Sequence, residues 1–319
     1  MTFEPSAERG AALDVRMRER LAETLDYVFR SVGKPIGIDA TATTQLTLRI
    51  RSGRQSPNLF GAYYEMVLAI ENDQLEEARR LAGELLTQRA TVGTRVAAIE
   101  NRAPDETARF RRLLVPDPDI ARQPDAALLA RTEQRINSAF ELLDRGFPDM
   151  AGEIRELLCD IVIASGPKNP KALTFDGSSS YMLWGAILLN ARGQKNVIDT
   201  AQALAHESGH NLLFGFCASE SLVKNADDEL FRSPLRTDAR PMDGVVHATY
   251  VVARMHQTLL RLLEADVLDE SEQTAAFADL AAHRRNFAAG NQVIREGGRL
   301  TPLGTEVIEA ARAYMAAAA

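Results

Sequence analysis

The chain has 319 residues, 45% of them hydrophobic and 25% charged, enough to bury a sizeable core in one large or two moderate domains. A net charge of −7 argues against a broad nucleic-acid-binding surface, and no run approaches the roughly 20 apolar residues of a membrane span. The only cysteines, Cys159 and Cys217, make neither a disulfide framework nor a CxxC metal site, and the N-terminus MTFEPSAERGAALDVRMRER lacks the apolar stretch of a signal peptide, so the expected setting is cytoplasmic with reduced thiols.

The first third reads as helical. LFGAYYEMVLAIEN (59–72) and QLEEARRLAGELLTQ (74–88) carry apolar residues at three- and four-residue spacing, one buried face each, with NDQ as the turn between them. PDPDIARQPD (116–125) is rich in Pro and Asp and reads as a linker. ALLARTEQRINSAFELLDRG (127–146) is a helix stopped by Gly146 and Pro148. DIVIASGP (160–167) and WGAILLN (184–190) are short, rich in Ile, Leu and Val, and bounded by turn residues, so they read as strands separated by a loop, TFDGSSSY. Two long helices follow: 197–216, and 243–266 with Asp243 placed to cap its first turn. Thr301 and Pro302 are an N-cap and first helical residue. The pattern predicts a mainly α protein: a helical N-terminal region, 1–125, and a metal-binding catalytic region, 126–319, mostly helical with a small β-sheet and a zincin-like HExxH helix.

The chemistry concentrates in HESGH (206–210). Four residues apart on a helix, His206 and His210 stack on one face and reach one metal ion, with Glu207 beside them. A third ligand is needed. Leu213 and Phe216 stand where the metzincin extension has Gly and His, which excludes that class. Glu229 lies at a spacing used by some gluzincin peptidases, although NADDELFRSP around it reads as a solvated acidic loop. His247, in the first turn of the helix after Asp243, is the other candidate; a helix N-terminus disfavours a charged ring and keeps it available to a metal. Arg236 and Arg240 precede it, and a planar guanidinium pairs naturally with a carboxylate; the alternative for both is pairing with the acidic 227–229 run.

LAHESGHNLLFG (204–215), SPLRTDARPMDGVVHATYVVARM (233–255), the segment from GSSS to WGAILLN (177–190) and LTPLG (300–304) together resemble the HEXXH-motif proteins of bacterial peptide-modification clusters. The likeness covers roughly the last two thirds of the chain. It implies an iron(II)- and 2-oxoglutarate-dependent dioxygenase, a hydroxylase acting on Cβ of a residue in a ribosomally made precursor peptide. By that likeness His206 and His210 are iron ligands with His247 as the third, unless Glu229 replaces it. Arg240, with Arg236 as alternative or helper, holds the distal carboxylate of 2-oxoglutarate, and Glu207 orients a ligand or bound water instead of acting as a base. By analogy with zinc peptidases, and for either chemistry, WGAILLN could take the peptide as an added strand, with Trp184 and Ser179 lining the cleft; the other reading is a buried strand supporting the HExxH helix, with Trp184 in the core. The alternative is a zinc metallopeptidase in which Glu207 activates the water. No nucleic-acid or membrane partner is expected.

Overall fold

The structure, a computed structural model, describes residues 2–167, 175–233 and 238–318. It is mainly helical with a small sheet. The elements run α1 (Ala7–Val32), α2 (Ala40–Ser52), α3 (Pro57–Glu71), α4 (Leu75–Thr87), β1 (Arg95–Ala98), α5 (Pro104–Leu114), α6 (Ala126–Gly146), α7 (Pro148–Leu157), β2 (Asp160–Ala164), β3 (Gly177–Ser179), β4 (Ala186–Asn190), α8 (Val197–Phe216), β5 (Leu230–Arg232), β6 (Ala239–Pro241), α9 (Met242–Glu264), α10 (Glu270–Gly297) and α11 (Pro302–Ala317). No helix among the described residues is long and apolar enough to cross a membrane.

The chain packs as two compact units. The N-terminal unit holds Gly10–Glu133 and Arg155–Gln194; the C-terminal unit holds Met1–Arg9, Gln134–Ile154 and Lys195–Ala319. The expected division at residue 125 therefore differs from the packing: the sheet goes with the N-terminal helices and not with the HExxH helix. The reason is β1, which the helical reading of the first third passed over. It pairs in parallel with β2, Val96 opposite Ile161, and β2 pairs in parallel with β4, Ile161 opposite Ile187. Parallel neighbours need long crossovers, so strands far apart in sequence are drawn into one unit. Every residue of β2 and β4 is buried; their apolar runs suit a strand covered on both faces, and the two polar ends are partnered, Asp160 by Arg95 and Arg102 and Asn190 by Phe175 O.

Sheet order is β1-β2-β4-β3, with β3 antiparallel to β4. This corrects the strand-addition reading of WGAILLN. Its strand, β4, is paired on both sides, and the segment taken for a loop supplies the outer strand β3. Trp184 is fully buried in this unit, its indole N–H donating to Asp14 at 3.3 Å, so it is a core residue and not a substrate-facing one. Ser179 lies opposite Ile187 at the end of β3. The 116–125 stretch is no linker either: it holds a 3-10 turn, and Ile120 and Ala121 pack with Phe110, Val162 and Leu188 in the core.

In the C-terminal unit α9 packs against α8 and α10, and Leu142, Ile198, Leu259, Leu262 and Leu280 form a core. Two helices extend beyond the sequence expectations. Pro148, expected to end α6, opens α7 as its first residue. The face of α10 alternates Ala276, His283 and Gly290 with Leu280, Phe287 and Ile294; the period is helical, but small and polar residues dilute the apolar signal. Asp243 lies in the first turn of α9 but does not cap it, the capping position being Pro241. Thr301 does cap α11, accepting from Gly304 N at 3.0 Å. Glu153, wholly buried, accepts from Arg9 Nε at 2.9 Å and Ser6 N at 3.0 Å and is paired with the buried Arg254 of α9. Phe3 stacks on Tyr314 of α11, 4.8 Å between ring centres, and meets Tyr250 of α9 edge-on at 5.3 Å.

His256 faces the other side of α9 and is buried. Arg284 Nε donates to its Nε2 at 3.1 Å, and its Nδ1 meets the Tyr314 hydroxyl at 2.8 Å. Burial, with Arg284 and His283 adding to it, pushes His256 down to about 4. The unfolded ring takes a proton near the usual 6.5 and the folded one does not, so this contribution to stability is complete above that value and is lost as pH falls from about 6.5 to about 4. Melting temperature should fall through that window in the parent protein, and the fall should be shallower in His256→Gln. Equal slopes in the two proteins would remove His256 as a cause.

Candidate metal centre

α8 begins at Asn196, whose side chain accepts from Asp199 N at 2.7 Å. Most of the helix is buried, Glu207, Ser208 and Gly209 of the motif included. Gly209 packs tightly against α9: a Cβ there would stand 3.0 Å from Val251 Cγ1 and 3.8 Å from Arg254 Cγ. His247 is one helical turn before Val251 on the same stripe of α9, which brings it beside His210.

His206 Nε2 and His210 Nε2 are 3.2 Å apart, with ring centres 5.0 Å apart and planes at 71°. Two imidazoles bound to one ion at about 2.1 Å, with nitrogens that far apart, would have centres about 5 Å apart, whereas a straight line through both rings would give about 5.5 Å. The spacing is that of two imidazoles able to share one ion. Glu207 Oε1 lies 3.9 Å from His206 Nε2. That is longer than the roughly 3.0–3.4 Å expected between neighbouring donors on one ion, so the carboxylate borders the metal position without occupying it.

His247 approaches His210 from the other ring edge. Its Nδ1 is 3.1 Å from His210 Nδ1, with ring centres 5.4 Å apart and planes only 15° apart. The centre distance matches a nearly straight, in-plane hydrogen bond and not a face-to-face stack. His247 Nε2 is 3.7 Å from Asp243 Oδ2. Burial lowers the His247 pKa, outweighing Asp243, which raises it, and so favours the neutral ring. Phe214 lies against it, 5.4 Å between ring centres. Among the described residues no three His, Cys, Asp or Glu side chains surround one metal position. The structure thus brings all three histidines together, with Nε2 of His206 and His210 facing one another and His247 on the opposite edge of His210.

The remaining expected residues lie apart from this cluster or outside description. Glu229 is half-exposed and held by Arg299 at 2.6 Å and Asn225 at 3.1 Å; the Arg299 hydrogen bond comes first among the causes that lower its pKa. Arg240 is half-exposed on β6, opposite Phe231, with Nε 2.8 Å from Asp238 Oδ2 but off the line of a hydrogen bond. Arg236 lies outside the described residues. Both cysteines are unpaired, and burial pushes each thiol up to about 12.

Sequence reasoning missed Met255, whose Sδ is 3.3 Å from His206 Nδ1. Nothing in a ligand motif signals a thioether eight residues after His247. Gly209 did leave a signal, since a glycine inside a helix marks close packing.

Gly209→Val should force α9 away from α8. The expected loss is about 1–3 kcal/mol of stability, with weaker zinc or cobalt(II) binding measured by chelator competition. Unchanged melting temperature and affinity would show that the two helices have room to spare at this point.

Neither protein-family models nor curated protein sequences match this chain.

Proposed function

We propose that the protein is an iron(II)- and 2-oxoglutarate-dependent dioxygenase of the cytoplasm that hydroxylates Cβ of a residue in a ribosomally made precursor peptide. The observation that carries the metal is the convergence of His206 and His210 Nε2 at 3.2 Å. The choice among metal chemistries rests on the resemblance of the segments around HESGH and RPMDGVVH and on Arg240.

His206 and His210 would hold iron(II), leaving open positions for a chelating co-substrate and dioxygen. When bound, the metal with 2-oxoglutarate and dioxygen supplies the oxidising power to replace an unactivated C–H bond by C–OH. The protein's part is placement. His206 keeps a quarter of its side chain exposed, which leaves the site an approach. Arg240 would take the distal carboxylate of 2-oxoglutarate by exchanging it for Asp238, an exposed ion pair of the kind that is weak in water. Glu207, buried beside His206, would orient a water or ligand at the edge of the metal position.

Adding iron(II) and then 2-oxoglutarate to metal-free protein without oxygen should produce a visible charge-transfer band that needs both. The band should vanish in His210→Ala, and in Arg240→Ala it should demand at least about tenfold more 2-oxoglutarate, the loss of a charge-assisted pair. Absence of the band together with tight, stoichiometric zinc would overturn the hydroxylase reading.

One observation favours a second reading, a zinc metallopeptidase: Glu207 is placed where a general base would reach a metal-bound water. Glu207→Gln separates the two. It should remove nearly all activity from a peptidase and leave a hydroxylase partly active, measured on the same candidate peptides by mass shift.

A further inference from the structure

A neutral imidazole has one nitrogen that carries hydrogen and one that carries a lone pair. For His206 and His210 both to offer Nε2 to a cation, both must carry hydrogen on Nδ1. In water the free ring prefers hydrogen on Nε2, so the protein has to impose the other form twice.

The partners on the outer edges impose it. Met255 Sδ, 3.3 Å from His206 Nδ1, is an acceptor only, so the hydrogen on His206 is at Nδ1 and the lone pair at Nε2. At the other end Asp243, also an acceptor, lies 3.7 Å from His247 Nε2 and draws the His247 hydrogen to that atom. A neutral His247 then has its lone pair on Nδ1, 3.1 Å from His210 Nδ1, and only a hydrogen on His210 Nδ1 completes that contact. The two Nε2 lone pairs are thereby left facing one another, 3.2 Å apart. Two acceptors that close repel each other unless a cation lies between them.

We propose that Met255 and His247, with Asp243 behind it, are positioning residues that lock His206 and His210 in the tautomer that binds metal, and that His247 is not itself a ligand. The inference rests on the metal reading above and replaces the three-histidine ligand set by two ligands and two holders. Outer partners of this kind fix ring orientation, and their removal typically costs 10–100-fold in metal affinity.

The test has two readouts. In metal-free protein with 15N-labelled histidine, long-range proton–nitrogen correlation spectra should show His206 and His210 with hydrogen on Nδ1. Met255→Leu should release His206 from that form, and His247→Phe should release His210. His247→Asn keeps an acceptor near the place of Nδ1 and should restore it; Met255→Gln should do the same for His206. In zinc-loaded protein, affinity should fall about 10–100-fold in Met255→Leu and His247→Phe and recover in the Asn and Gln variants. X-ray absorption should count two imidazoles on the zinc. Three imidazoles, hydrogen on Nε2 of either ring in the metal-free parent protein, or a His247→Asn variant as impaired as His247→Phe would each overturn the proposal. A protein that takes up no metal yet shows both Nδ1–H tautomers would defeat the metal reading and leave the positioning role standing.

Discussion

The histidine cluster depends on how closely α9 approaches α8 at Gly209. With no side chain there, Val251 can lie against the α8 backbone. His247, Val251 and Met255 follow one another at four-residue intervals, a single stripe along α9. Gly209 stands between His206 and His210 in sequence, and Val251 stands between His247 and Met255. One close contact therefore sets two others, His210 with His247 and His206 with Met255. A wider spacing would separate both pairs together, because rigid helices transmit a displacement along their length.

α9 is held on its other sides as well. Arg254 lies near Gly209 and carries a buried charge matched by Glu153, which Arg9 and Ser6 also bind. Such a cluster adds little net stability over an apolar substitute, but breaking it leaves an uncompensated charge. It ties the first residues of the chain and α7 to the same helix that carries His247. Beyond it, Phe3 and His256 connect α9 to Tyr314 of α11. Helix position near the histidines is thus fixed by contacts of several kinds, which suits side chains whose nitrogens must meet within tenths of an ångström.

The helix carrying HESGH was legible to the residue, Val197 to Phe216, because its apolar residues recur over a run too long for a strand. α3, α4, α6 and α9 were legible for the same reason. The sheet was only half legible: Asp160–Ala164 and Ala186–Asn190 stood out, but RVAA is a short run of an arginine, a valine and two alanines that gains its strand character from pairing with β2. Local pattern carries no information about that partner. α10 was hidden by Ala276, His283 and Gly290 on its buried face. In the site, sequence brought His247 to the right neighbourhood through its place in the first turn of α9. Which edge of His210 it meets depends on side-chain rotation across a helix interface, and no spacing rule reaches that. Glu229 shows the converse. Its spacing fits a known ligand pattern, but its carboxylate is engaged with Arg299.

The chemical character of the outer partners bears on what such a centre would bind. Metal-bound histidines commonly donate to carboxylates, which raise the basicity of the ring. Here the contacts on the outer ring edges are a thioether and an imidazole, with Asp243 one ring further away and Glu207 on the inner side, 3.9 Å from His206 Nε2. Both outer contacts accept hydrogen without adding negative charge beside the ligand, so each imidazole donates less to the ion and the ion keeps more of its positive charge. That favours anionic ligands in the remaining positions over neutral water. For the reading proposed above, a dicarboxylate that chelates the metal at one end would meet a cation at the other only where Arg240 gives up Asp238 and turns toward the histidines.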